Sequence, residues 1–278
     1  MICHMFPGQP VVWGAAFQDD DSFRRIAETC CAMTGFDPQT GVSRNPALTE
    51  TVKLQLFGIC YSIFKSEQLA SRNPPPDLLA EHSMGIYGAL AAGGVLTADE
   101  AIEITFRGGM LMAETFSSDA YALGCFIGLT IPQVESIARN NSVYIANYNT
   151  SRHVLLAGIA SGIESAKSEA EAAGVFSAKQ FQADAPLHTP LMGEITADLW
   201  IILADYHFNE PSIPLMGHID QQFLTAATIP EFICSELNMP VYWDKTYHAL
   251  RKHGVERFIE VGFGQSLAKF NRWIDSES

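Results

Sequence analysis

The chain has 278 residues and a formal net charge of −14, from 17 lysines and arginines against 31 aspartates and glutamates. That excess excludes nucleic acid or an anionic membrane as the main partner, because both are bound through basic patches. Hydrophobic residues make up 47% of the chain, enough for a sizeable core in one large domain or a domain with an insertion.

No run approaches about 18 apolar residues, and Met1-Ile2-Cys3-His4 lacks the basic start of a signal peptide. The six cysteines, Cys3, Cys30, Cys31, Cys60, Cys125 and Cys234, show no C-x-x-C pair and no metal-ligand spacing. Reduced thiols in a cytoplasm are therefore expected, with neither disulfides nor a metal site.

In chain order, the pattern predicts a strand over Ile2 to Phe6, helices over Phe23 to Met33 and Thr51 to Phe64, and a loop at Asn73-Pro74-Pro75-Pro76. Leu78-Leu79 then leads into Glu81-His82-Ser83-Met84-Gly85 and the small-residue segment after it. This reads as a strand-to-helix elbow, a turn that exposes a serine Oγ at a helix start and aims the next amide at a developing oxyanion. Taken alone, the five residues also fit an inert helix start. Thr97-Ala98-Asp99-Glu100 is a capping box that opens another helix.

From about Leu123 the pattern changes. It predicts a strand over Leu123 to Leu129, a helix over Ile131 to Arg139, and strands over Val143 to Asn147 and His153 to Ala157. A helix over Ile163 to Ala173 and a strand over Gln180 to Ala185 follow. The order βαββαβ is the ferredoxin-like arrangement. Met110, Leu111 and Met112 read as core, and the cleft between the two units is the expected active site.

Further blocks arrive in a fixed order along the chain: Phe6-Pro7-Gly8-Gln9, Glu81-His82-Ser83-Met84-Gly85, Ala146-Asn147-Tyr148-Asn149, Ala185-Pro186-Leu187-His188 and Glu260-Val261-Gly262-Phe263-Gly264. Together they resemble the malonyl-CoA:acyl carrier protein transacylase family and the related acyltransferase domains of polyketide synthases. The resemblance spans essentially the full length. It implies an α/β-hydrolase-like large domain from residues 1–122 and 188–278, with a ferredoxin-like subdomain inserted at 123–187.

The resemblance also implies that Ser83 is the nucleophile and His188 its general base, where the residues alone would favour a packed loop histidine beside Pro186. It implies that a main-chain carbonyl near His253-Gly254 orients the imidazole, and that the amides of Met84 and Gln9 form the oxyanion hole. His82 and Gln55 are implied at the acyl pocket, with a structural hydrogen bond the alternative for His82. Asn147 and Asn149 are expected to tie the insertion to the cleft.

The chain departs from the family pattern in four places. Arg107 is the candidate partner for a malonyl carboxylate, but ungapped spacing from Ser83 puts Gly108 at the arginine position and Arg107 one residue early. One helical step turns a side chain by about 100°, so Arg107 reaches the cleft only if a bulge restores its direction. Malonyl use retained through such a bulge is the expectation, with an uncharged acyl group or hydrolysis as the alternative. Glu81 replaces the elbow glycine, Ile86 a glutamate, and Phe263 a proline. Glu81 is either solvated or, if buried, needs a donor partner.

The function so implied is transfer of an acyl group, malonyl foremost, from coenzyme A to the phosphopantetheine thiol of an acyl carrier protein, in fatty acid or polyketide biosynthesis. No tightly bound cofactor is expected beyond the coenzyme A thioester substrate. The alternatives are an acyl-thioester hydrolase of the same fold and a non-catalytic carrier-protein-binding protein. Lys245, Arg251, Lys252, Arg257, Lys269 and Arg272 form the candidate docking face for an acidic carrier protein, with a scattered, solvated set of charges as the alternative.

Overall fold

The computed structural model describes residues 1–8 and 20–277. In chain order its elements are β1 (Ile2–Phe6), α1 (Asp21–Thr34), α2 (Glu50–Ala70), β2 (Leu78–Glu81), α3 (Gly85–Ala92) and α4 (Ala98–Thr115). Next come β3 (Tyr121–Ile127), α5 (Ile131–Asn140), β4 (Tyr144–Thr150), β5 (His153–Ile159), α6 (Ala160–Ala172) and β6 (Ser177–Ala183). After a 3₁₀ segment at Pro190–Ile195 the chain continues through α7 (Thr196–Leu203), β7 (Leu215–Met216), α8 (Ile229–Glu236), α9 (Trp243–Lys252), β8 (Arg257–Glu260) and α10 (Ser266–Glu277).

The strands form two sheets. One is parallel with order β7-β2-β1-β8, and the other is antiparallel with order β4-β5-β3-β6. The parallel sheet is covered on both faces, as such sheets require. Strand alternation sends Cys3, Met5, Leu78 and Ala80 towards Trp243 and Leu250, and Phe6 and Leu79 towards the helices around Phe57 and Leu90. This is an α/β-hydrolase-like large domain, and the antiparallel sheet with α5 and α6 on one face is a ferredoxin-like subdomain with its own core around Phe126, Val134 and Ile163.

Several boundaries differ from the sequence reading, each for a tertiary reason. α2 runs on to Ala70, where Glu67 pairs with Arg25 of α1. β6 starts at Ser177 because it pairs with Ile127 at the end of β3. α6 starts at Ala160, whose amide is bonded to Ala120 O. The capping box at Thr97 and Glu100 is present as read.

Two register shifts in β4, after Ile145 and after Tyr148, bend that edge strand against the large domain. The main chain of Val241 bonds to Ala146 and Tyr148 there. The subdomain thus delivers Asn147 and Asn149 to the cleft.

Candidate active site

Ser83 stands between the end of β2 and the start of α3 with φ of +58°, a left-handed backbone that few non-glycine residues adopt. The turn is closed by Gly85 N–H donating to His82 O and Ile86 N–H to Ser83 O. Gly85 is required by space: a Cβ there would lie 2.1 Å from the Phe6 carbonyl oxygen. The elbow therefore rests directly on the end of β1, and Gly8 lies against Ser83. The Met84 amide has no hydrogen-bond acceptor among the described residues. Gln9, the other expected oxyanion donor, lies outside the described residues.

His188 also has positive φ, +59°, and is buried. Its Nε2 is 2.6 Å from Ser83 Oγ, and its Nδ1 is 2.7 Å from the main-chain oxygen of Glu236. A carbonyl only accepts, so Nδ1 carries the hydrogen and Nε2 is left to accept the serine proton. The carbonyl is available because Glu236 ends α8, where the last carbonyls have no partner inside the helix. The next carbonyl, of Leu237, accepts from the His188 amide. Burial pushes the imidazole down to about 3, which keeps it neutral, with Nε2 open to accept a proton, at working pH.

The resemblance implied an orienting carbonyl near His253-Gly254, and the structure places it at Glu236 instead. α9 points its first residue, Trp243, at His82, and His253 caps its other end, a helix length away, against Phe223. The Gly254 carbonyl accepts from the amino terminus of Met1 instead.

His82 donates from Nε2 to Asn149 Oδ1 at 2.9 Å, with Asn147 Nδ2 3.5 Å away, so the residue beside the nucleophile links the two units. Its Nδ1 is buried with no hydrogen-bond partner among the described residues, and burial lowers its pKa to about 4. Gln55 is buried, lines the cleft beside Gly109, and its Oε1 has no hydrogen-bond partner among the described residues. Ile86 is fully buried, and Phe263 stands edge-on to Phe57 and Tyr61 at the cleft wall. Met112 is buried and lines the cleft, while Met110 and Leu111 pack on the core.

Arg107 does not reach this cleft. α4 is unbroken from Ala98 to Thr115, no bulge turns the side chain, and its guanidinium holds Asp205 Oδ2 at 2.7 Å and Tyr206 OH at 3.1 Å. Gly108 occupies the cleft wall in its place. The expected carboxylate partner is therefore corrected to a structural tie between α4 and the segment after α7.

Glu81 is fully buried and takes the second of its two readings. It accepts from the main-chain amide of His218 at 2.9 Å and faces the ring Nδ1 at 2.8 Å. His218 and Glu236 are functional candidates that the sequence reading missed. An acid in the last turn of a helix opposes the helix dipole, and that anomaly was the available signal for Glu236.

His188, His218 and Glu236 each offer a ligand atom within 4.8 Å of the others. Both nitrogens of His188 are already engaged, so a metal there would have to displace either Ser83 or the orienting carbonyl.

Beside the Ser83–His188 pair lies a cavity of about 860 Å³ bounded by both units. It is lined mainly by carbon, from residues such as Leu54, Met112, Leu123, Leu155 and Leu199. No helix among the described residues is long and apolar enough to cross a membrane.

Comparison with known proteins agrees with this geometry. The family model described as "Acyl transferase domain" matches residues 14–271. The chain is 30% identical over 204 residues to the malonyl CoA-acyl carrier protein transacylase of Salmonella typhimurium, across 72% of this chain and 66% of that protein. It is 29% identical over 283 residues to that of Escherichia coli K12, across 97% of this chain and 91% of that protein. Among solved structures, a malonyl-transacylase in complex with a type II polyketide synthase acyl-carrier protein superposes with a TM-score of 0.87 at 24% identity, covering 99% of this chain and 93% of that one.

Proposed function

We propose, from the premise that the chain belongs to the acyl transferase domain family and is an acyltransferase, that Ser83 carries an acyl group from coenzyme A to the phosphopantetheine thiol of an acyl carrier protein. Malonyl is the group printed in the names of its relatives, and fatty acid or polyketide biosynthesis is the setting. The observation that carries the proposal is the 2.6 Å contact between Ser83 Oγ and a neutral His188 Nε2 at the floor of a thioester-sized cleft.

In the first half-reaction Ser83 Oγ attacks the thioester carbonyl while its proton passes to His188 Nε2. The Met84 amide, with that of Gln9, stabilises the oxyanion. The carbon–sulfur bond breaks, and His188 returns the proton to the coenzyme A sulfur. In the second half the carrier thiol gives its proton to His188 and its sulfur attacks the acyl-serine. The ester bond breaks, and the proton goes back to Ser83 Oγ.

The α8 terminus supports this cycle, because its carbonyls favour the imidazolium that forms twice. Substrate contacts are assigned to His82 and Gln55, and no bound cofactor is required. Residues 1–122 and 188–278 are taken as the catalytic domain around 123–187, and the cytoplasm as the compartment. Docking is assigned to the basic residues of α9, β8 and α10, of which Lys269 also lines the cleft.

The test incubates enzyme, acyl-CoA and holo carrier protein and reads the mass of the carrier. A Ser83-dependent acyl increment on the carrier is expected. Coenzyme A release with free acid as the sole acyl product would instead make water the acceptor and the protein a hydrolase.

A further inference from the structure

The acyl end of the cleft offers a carboxylate no counter-charge. Its wall from α2, α4 and α7 presents the carbon of Leu54, Gly108, Gly109, Met112 and Leu199, the neutral polar groups of Thr51, Gln55 and Thr105, and the carboxyl of Glu50. The wall is open at Gly108, where a Cβ would meet nothing nearer than Leu199 Cδ1 at 4.0 Å. The adjacent guanidinium of Arg107 is held outside by Asp205 and Tyr206.

Among the described residues Lys269 is the only lysine or arginine on the cleft lining, and it is exposed on α10, which packs on α9, β4 and β8. Residues 9–19 contain neither lysine nor arginine, so that stretch supplies no cation. The carboxyl side chains on the lining are Glu50, Asp184 and Glu236, the last held neutral by burial.

A negatively charged acyl terminus bound here would lose water, gain no ion pair and face carboxyl groups of its own sign, each of which opposes binding. An uncharged tail meets the opposite balance, because every methylene it buries against this wall strengthens binding about fourfold. Resting on the Ser83 acyl-enzyme reading, we infer that the acyl pocket takes uncharged short- and medium-chain acyl thioesters at least as readily as malonyl. The acyl group is then selected by carbon surface rather than by a carboxylate clamp. Gly108 is the specificity-determining position, since it leaves open the volume in which a longer tail lies.

The test measures single-turnover acylation of the intact enzyme by mass, with malonyl-, acetyl-, butyryl- and hexanoyl-CoA at matched concentrations. Butyryl is expected to acylate at least fivefold faster than acetyl and no slower than malonyl. Arg107→Ala is expected to leave the malonyl-to-butyryl ratio within twofold, whereas Gly108→Arg raises it at least tenfold by filling the wall and adding a cation. A wild-type preference for malonyl over butyryl overturns the inference while leaving the acyl-enzyme reading intact. Absence of an adduct with all four thioesters removes that reading, and the inference with it.

Discussion

Glu81 and His218, 137 residues apart, close on one another inside the protein: one carboxyl oxygen takes both the main-chain amide and the ring Nδ1 of the histidine, and both side chains are fully buried. Burial pushes the Glu81 carboxyl up and the His218 imidazole down to about 3. Both directions keep the pair neutral, with one proton between carboxyl and ring. The His218 ring stands edge-on to that of His188 at 6.2 Å, so the pair forms part of the wall behind the catalytic base.

Removing one member of such a pair strands the other in a medium without water. Glu81→Ala is expected to destabilise the fold by about 2–3 kcal/mol, the scale of leaving a buried polar group unsatisfied, read from urea unfolding. Glu81→Gln keeps an acceptor for the His218 amide and is expected to cost less than half of that. An alanine variant within about 1 kcal/mol of wild type would mean that water replaces the carboxyl and the pair holds nothing together.

Glu236 gives a pH-dependent prediction with a defined sign. Burial raises its carboxyl well above the usual glutamate range, and its Oε2, 3.7 Å from His188 Nδ1, has no hydrogen-bond partner among the described residues. Above the ordinary value of 4.5 the unfolded chain releases that proton while the folded chain keeps it, so rising pH favours unfolding. Glu236→Gln keeps the main-chain carbonyl that orients His188 and removes this cost. Its stability relative to wild type is expected to grow between pH 5 and pH 8, by chemical denaturation at each pH. A difference independent of pH would show that the carboxyl is ionised in the fold.

His188 makes a second pH prediction, on rate. A base held down to about 3 stays neutral from pH 5.5 to pH 8. The rate constant for acylation of Ser83 is expected to be level between pH 5.5 and pH 8 in single-turnover measurements. An acidic limb breaking near 6.5, the ordinary value for histidine, would contradict the buried, neutral base.

The parts of the fold legible in the sequence are those written locally. Thr97 and Glu100 carry their own capping instruction, and the βαββαβ periodicity from Tyr121 to Ala183 is a succession of short-range patterns. The elbow at Ser83 was legible for the same reason, its constraint residing in Gly85 and the neighbouring strand. The rest depended on long-range closure. The helical step that separates Arg107 from Gly108 was in the sequence, but the choice between them was made by Asp205, 98 residues on. The carbonyl that orients His188 could not be located without knowing where α8 ends. The partner of Glu81 could not be named at all, because nothing near either residue announces the other.

The central claim is that Ser83, made nucleophilic by His188, carries the acyl group. Intact-mass measurement of wild type, Ser83→Ala and His188→Ala after brief exposure to acyl-CoA tests it most directly. Wild type is expected to gain one acyl increment that peptide mapping assigns to Ser83. Ser83→Ala is expected to gain none, and His188→Ala to gain it about 100-fold more slowly, the scale of losing a general base. An increment of unchanged size and rate on Ser83→Ala would assign the nucleophile elsewhere and contradict the mechanism.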